Sequence, residues 1–293
     1  MKGLAFYMVD VFAEEKYAGN QLAVFRNAAA LSSAQMQKIA NEMHFSETTF
    51  VLSDEKRDGG YDVRIFTPAT ELPFAGHPTL GTAYVIRHHV ADETISKVTL
   101  NLKVGQIPVT FEKDGGSETL WMKQIPPVFG KTFDAAKISR VLNLRISDFD
   151  KEYQIQEVST GIPIIIVPLK TLDAVKRARI DKDKLIELAK GTQAEILIFC
   201  PETYKKENNL NVRVFVDLLG IPEDPATGSG NGCLAAYLSH HHYFGDNTVN
   251  VRVEQGYEIG RPSLLQLKAE NREGKIQVYV GGKVVMVATG ELV

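Results

Sequence analysis

The sequence predicts an α+β protein with mixed sheets, built from two similar halves that each present a helix N-terminus. Three observations carry that prediction. Strand-like segments outnumber helix-length ones, and many are joined by hairpin-length connections, which favours mixed sheets over a doubly wound parallel sheet. The stretch ELPFAGH at 71–77 is matched by EDPATGS at 223–229, with Glu, Pro and Gly in register at an offset of 152. Upstream, RIF at 64–66 matches RVF at 213–215 at an offset of 149, and AGNQLAVF at 18–25 matches TGIPIIIV at 160–167 at an offset of 142. Matches in the same order at nearly constant offset indicate an internal duplication.

The elements follow in order. Leu4–Phe12 and Leu22–Phe25 read as strands around a turn containing Gly19-Asn20. Ser32 or Ser33 caps a helix whose Met36, Ile39, Ala40 and Met43 recur at helical spacing. At 44–51, HFSETTFV, the pattern changes from helix to strand, and Glu47 stands at the junction. Tyr61–Thr67 is a strand, followed by a glycine-marked helix start and a helix to about His88. Strands at Lys97–Leu102, Ile107–Phe111 and Thr119–Met122 precede Pro126-Pro127, where the first half ends. The second half opens with a short helix over Asp134–Leu142, strands near 155–158 and 162–167, and a helix over Asp181–Lys190. Strands at Glu195–Phe199 and Leu210–Val216 lead to a helix starting near Ser229, then strands at 248–253, 263–269 and 275–280. The last segment, Lys283–Leu292, is assigned to the first half, giving domains of 1–125 plus 281–293 and of 126–280.

Composition bounds the function. With 293 residues, 44% hydrophobic and 24% charged, the chain has room for two globular domains with their own cores. A net charge of -3 gives no electrostatic case for nucleic acid. No apolar run approaches the ~20 residues of a membrane helix, so no membrane association is expected. Asp10 and Glu14-Glu15 interrupt the first apolar stretch, which reads as a strand and not as a signal peptide. Two cysteines, Cys200 and Cys233, cannot build a disulfide framework, and a cytoplasmic location is expected.

The two matched glycine motifs are the candidate site. A helix start leaves backbone N–H groups without internal partners and carries partial positive charge, so it suits a small anion such as a carboxylate. Gly76 before one helix, and Gly228 and Gly230 around the other, let a ligand approach the backbone. His77 and Ser229 hold matching places in the two halves. His77 reads as a capping or packing residue, or as a group that polarises a ligand. Asp224 reads as a turn residue before Pro225, or as an orienting carboxylate. Glu47 reads as a solvent-facing strand residue, or as a carboxyl among apolar neighbours, with a raised pKa, that moves protons.

Other signals carry less. Gly228-Ser-Gly-Asn-Gly satisfies neither the P-loop pattern nor GxGxxG, since position 233 is Cys. His240-His241-His242 lies on consecutive positions whose side chains diverge on a helix, and histidines suit a helix C-terminus electrostatically. No metal is therefore expected. Cys200 and Cys233 read as core residues.

The blocks AGNQLAVF, FSETTFV, RIFTPATELPFAGHPTLGTAY, STGIPIIIV, EDPATGSGNGCLAAY and QGYEIGRPS resemble, in order and over essentially the whole chain, the PhzF family of phenazine-biosynthesis-like proteins. The resemblance implies a diaminopimelate-epimerase-like fold, two similar α+β domains that each wrap a mixed sheet around a central helix, with the site in the cleft between them. It implies a cofactor-independent isomerase whose glutamate moves a proton between ring carbons of a small cyclic carboxylate, trans-2,3-dihydro-3-hydroxyanthranilate in the characterised enzyme. That glutamate falls on Glu47. The family histidine, aspartate and serine fall on His77, Asp224 and Ser229, with the first two orienting substrate and Ser229 and the glycine-rich backbone binding its carboxylate. Related branches of the fold use two cysteines at these helix starts, where this chain carries Gly76-His77 and Gly228-Ser229. Gly230-Asn231 departs from the Ala-His common in relatives, beside the carboxylate pocket. A homodimer is implied by the resemblance alone. The alternative reading is a non-catalytic small-ligand or partner-binding protein that keeps the cleft.

Overall fold

The computed structural model describes residues 3–217 and 221–293. The chain divides into two compact units, Met1–Lys123 with Gly281–Val293, and Gln124–Val280.

Unit 1 contains β1 (Leu4–Val11), β2 (Asn20–Phe25), α1 (Ser33–Met43), β3 (Glu47–Val51), β4 (Tyr61–Phe66), β5 (Glu71–Leu72), α2 (Gly76–His89), β6 (Lys97–Leu102), β7 (Gly105–Asp114) and β8 (Ser117–Lys123). In its sheet β2 lies antiparallel to β1 and parallel to β3; β4 lies antiparallel to β3 and β5 and parallel to β6; β7 and β8 continue antiparallel. Unit 2 contains β9 (Val128–Thr132), α3 (Ala135–Leu142), β10 (Gln156–Ser159), β11 (Pro163–Pro168), α4 (Leu172–Arg177), α5 (Lys182–Ala189), β12 (Glu195–Cys200), β13 (Leu210–Val216), β14 (Ile221–Asp224), α6 (Gly228–His240), β15 (Thr248–Gln255), β16 (Ser263–Arg272) and β17 (Lys275–Gly282). The chain then closes with β18 (Val284–Leu292), which pairs antiparallel with β1.

Unit 2 repeats the pattern of unit 1. β10, β11, β12, β13, β15 and β16 pair in the same order and with the same senses as β1, β2, β3, β4, β6 and β7. β14 folds back on β13 as β5 does on β4, and β9 flanks β10 as β18 flanks β1. The repeated sequence blocks therefore mark a repeated topology.

A repeated ion pair explains part of the repeated sequence. Arg64 of β4 grips Glu71 of β5 with two hydrogen bonds of 2.8 Å, and Arg213 of β13 grips Glu223 of β14 at 3.0 and 2.7 Å. A bidentate guanidinium–carboxylate pair fixes both distance and orientation. Each pair pins the short strand that delivers the chain to the start of α2 or α6.

Both helices are buried nearly all round, as central helices must be. Small residues let the sheet approach. A Cβ on Gly81 of α2 would lie 2.6 Å from a Leu22 methyl and 2.8 Å from a Val11 methyl. Peripheral helices cover the outer faces. Phe25, Met36, Ala40, Phe50 and Phe66 form one core under α1, and Ile138, Leu142, Val175, Leu185, Ile196 and Ile198 form another under α3, α4 and α5.

Candidate active site

Among the described residues, the α-helices begin in two different ways. Ser32, Asp134, Thr171 and Asp181 each accept a backbone N–H from the first turn of α1, α3, α4 and α5. These are ordinary side-chain caps. α2 and α6 start at Ala75 and Thr227 with no side-chain cap. Their first-turn amides thus keep the partial positive charge that the other helices neutralise.

In unit 1, Glu47 opens β3 and His77 is the second residue of α2. Glu47, Thr49 and Val51 alternate with Thr48 and Phe50, and Phe50 belongs to the core under α1. The other face meets α2: Thr49 and Thr82 share a hydroxyl hydrogen bond of 2.8 Å. One step nearer the helix start, Glu47 Oε2 stands 3.4 Å from His77 Nε2, with the side chains 16% and 6% exposed. Burial lowers His77 to about 3, so its imidazole is neutral, and its hydrogen bond to the Gln21 backbone only partly offsets that. Nε2 makes no hydrogen bond among the described residues, so Nδ1 serves Gln21, and the cationic form is favoured by that bond as it is by a carbonyl acceptor. A neutral ring that donates through Nδ1 leaves Nε2 bare. A bare nitrogen facing a carboxyl oxygen at this distance is suited to holding one proton between them.

In unit 2, Asp224 ends β14 and Ser229 is the second residue of α6, both half-buried. Asp224 Oδ2 accepts the Thr227 hydroxyl at 2.6 Å. Gln255, fully buried at the end of β15, organises the turn. Its Nε2 donates to the Asp224 carbonyl at 2.8 Å and to Thr227 Oγ1 at 3.0 Å. Its Oε1 accepts from Thr227 N at 3.2 Å and from Asn231 Nδ2 at 2.8 Å. All four hydrogen-bonding positions of the amide are used. Asn231, also fully buried, donates to the Thr227 carbonyl at 3.1 Å as well. Asn231 thus ties the start of α6 to β15, which gives the Gly230-Asn231 departure a structural role.

Thr227, Asn231 and Gln255 were not singled out as site residues from the sequence. Gln255 opens the block QGYEIGRPS and Thr227 lies inside DPATGS, so their motifs were visible while their hydrogen bonds were not.

The remaining candidates lie elsewhere. Cys233 faces Thr160 Oγ1 at 3.6 Å, and burial pushes its thiol up to about 11. Burial likewise raises Cys200 to about 12. His240 stacks on Phe129 with ring centroids 4.2 Å apart, whereas His241 Nε2 meets Gln156 Oε1 at 2.9 Å. Among the described residues, no group of three or more His, Cys, Asp or Glu side chains is placed to hold a metal ion, and no helix is long and apolar enough to cross a membrane.

Comparison with known proteins agrees with the fold. The profile of the phenazine biosynthesis-like protein family (PhzC-PhzF) matches residues 9–290, and the chain belongs to that family. It is 35% identical to a trans-2,3-dihydro-3-hydroxyanthranilate isomerase of Pseudomonas fluorescens over 98% of this chain and 99% of that one. The crystal structure of a Bacillus anthracis phenazine biosynthesis protein of the PhzF family superposes with a TM-score of 0.91, at 28% identity and full coverage of both chains. A probable proline racemase from Agrobacterium radiobacter, 11% identical, superposes with a TM-score of 0.63 over 99% of this chain and 93% of that one, which shows the shared α+β fold alone.

Proposed function

We propose that the protein is a cofactor-independent isomerase that moves a proton within a small cyclic carboxylate. Glu47 takes a proton from a substrate carbon, the released electron pair shifts a double bond, and the same carboxyl returns the proton to another carbon. No electrons are gained or lost overall. His77, neutral and facing Glu47, steadies the proton on the carboxyl and polarises the substrate, and Asp224 orients it. The amides of Gly76, Gly228 and Gly230, with the Ser229 hydroxyl, supply donors for the carboxylate.

The observation that carries this reading is the 3.4 Å approach of Glu47 to His77 at an uncapped helix start. Family membership supports it, because the Pseudomonas fluorescens relative is named for such an isomerisation. A homodimer in the cytoplasm belongs to the same reading, and light scattering at working concentration tests the dimer.

The test is incubation with trans-2,3-dihydro-3-hydroxyanthranilate, and with a panel of other cyclic and amino carboxylates, in deuterated water. Turnover with deuterium appearing on carbon is expected for at least one. A compound that binds yet neither turns over nor exchanges, across the whole panel, would turn the protein into a binding module and sink the proton-transfer role.

A further inference from the structure

The strand registers reveal a second carboxyl in the place of Glu47. In unit 1, Leu22 of β2 pairs with Glu47, and the next residue, Thr48, pairs with Phe66 of β4. In unit 2, Ile164 of β11 pairs with Glu195, and the next residue, Ile196, pairs with Phe215 of β13. Both registers therefore set Glu195 at the position of Glu47.

Alternation along β12 fixes the face. Ile196, Ile198 and Cys200 belong to the core under α3, α4 and α5. Phe199 meets the ring of Tyr237 with centroids 6.0 Å apart, and Leu197 comes within 3.5 Å of the Cβ position of Gly230. From Phe199 to Leu197 the contact moves from Tyr237 toward the start of α6. The next residue on that face is Glu195, so its side chain is directed at the uncapped start of the helix. Glu195 is 5% exposed, and burial and the Asp217 charge, with no side-chain hydrogen bond, are what act on its carboxyl.

We propose that Glu195 is a ligand-contacting residue of an anion site at the start of α6, where its carboxylic O–H donates to a carboxylate held by the Gly228, Ser229 and Gly230 amides. The proposal rests on the functional reading above, which gives α6 the substrate carboxylate. An ionised Glu195 would repel that anion, whereas the acid form adds a donor. Its surroundings favour the acid. Burial, with the Asp217 charge nearby, raises Glu195 to about 7. Among the described residues, Asp217 is the one charge that acts on it. Lys182 of α5 acts on Asp217. Arg213 is directed to the opposite face, where it bonds the Val175 and Ala178 carbonyls and Glu223. Asp224 is engaged by Thr227. β11 and the first turn of α6 carry no ionisable side chain, and the Cys233 thiol further along α6 is held protonated. Binding above neutral pH therefore takes a proton from solvent onto Glu195.

The test measures binding of trans-2,3-dihydro-3-hydroxyanthranilate by calorimetry, in buffers of differing ionisation enthalpy, from pH 6 to 9. Glu47→Gln serves as the background so that the ligand survives. The expected result is uptake approaching one proton at pH 8–9 and a Kd that weakens by up to about tenfold per pH unit above 7. Adding Glu195→Gln, which keeps a donor in place, should abolish both the uptake and the slope. Binding without proton uptake in the Glu47→Gln background, or a slope unchanged by Glu195→Gln, overturns the role of Glu195 and leaves the functional reading standing. Absence of binding at every pH, by this compound and by every other carboxylate of the panel above, overturns both together.

Discussion

The two units share a topology and differ at the heads of their central helices. Unit 1 sets a histidine beside a glutamate at the start of α2, and the pair is mostly shielded from water. Unit 2 puts Ser229 in the place of the histidine and braces its helix start with a fully bonded Gln255. The ion pairs behind these starts also differ. Arg213 and Glu223 are 5% and 7% exposed, whereas Arg64 and Glu71 are 24% and 17% exposed, with Lys103 adding a third charge at 2.7 Å. A duplicated scaffold has thus kept its framing contacts while the residues at the helix heads diverged, one toward a histidine–glutamate pair and the other toward a serine beside a fully bonded glutamine. The division predicts which substitutions harm chemistry and which harm the fold.

The sharpest way to break the comparison is Glu47→Gln. It preserves shape but cannot accept a proton, so turnover and solvent exchange should fall by about 10²–10⁴-fold while ligand affinity changes little. His77→Gln should weaken binding as well as rate, with the smaller loss in rate. Steady-state kinetics and calorimetry on the same preparations check both, and near-normal turnover in Glu47→Gln would remove proton transfer from unit 1.

Next come the framing ion pairs. Glu223→Gln leaves the buried Arg213 charge short of its partner and should cost about 3–5 kcal/mol of stability, the range for breaking a buried pair. Glu71→Gln, in the more hydrated pair, should cost clearly less. Denaturant unfolding of the two variants measures the difference, and equal losses would mean that burial does not separate the units.

Packing gives a smaller effect. Gly81→Ala places a methyl against Leu22 and Val11, which lie in sheet strands, and should cost about 1–3 kcal/mol. Gly232→Ala meets Gln124 Cγ at 3.0 Å and Gln124 Oε1 and Thr160 Oγ1 at 3.2 Å, looser contacts than those of Gly81, and should cost less. The thermal midpoints of the two variants rank them.

The smallest effect is on the pH dependence of stability. His77 is lowered from 6.5 to about 3, so its contribution is present above 6.5 and is lost as pH falls toward 3. Glu71 is lowered from 4.5 to about 2 by its Arg64 hydrogen bonds, so its contribution is likewise lost on acidification, below 4.5. Glu195 is raised from 4.5 to about 7, so its contribution is complete below 4.5 and is lost as pH rises through 7. Unit 1 should therefore weaken toward acid and unit 2 toward alkali. Unfolding titrations of Glu195→Gln should show a flatter alkaline limb, and those of His77→Gln a flatter acid limb. An alkaline limb identical to wild type in Glu195→Gln would contradict this assignment.

Local signals fixed the elements that were legible from the chain. The spacing of Met36, Ile39, Ala40 and Met43 and the cap at Ser32 are properties of neighbouring residues, so α1 could be read directly. The glycine-marked starts of α2 and α6, and the equivalence of His77 and Ser229, were likewise written in two matched motifs. Elements with little local signal were missed: the six residues of α4, and the short strands β5, β9 and β14. A single helical turn or a two-residue strand is stable only through what it packs against.

Composition, period and turn chemistry are local, and they sufficed for the α+β class, the duplication and the residue types at the helix starts. Tertiary structure alone decided which side chains meet. β12 is buried along its whole length, so its EILIFC run gave no sign of which face Glu195 shares with α6. Glu47 and His77 are 30 residues apart, and Asn231 and Gln255 are 24 apart. Their contacts depend on strand register and on the position of a buried helix, which are set by packing over the whole unit.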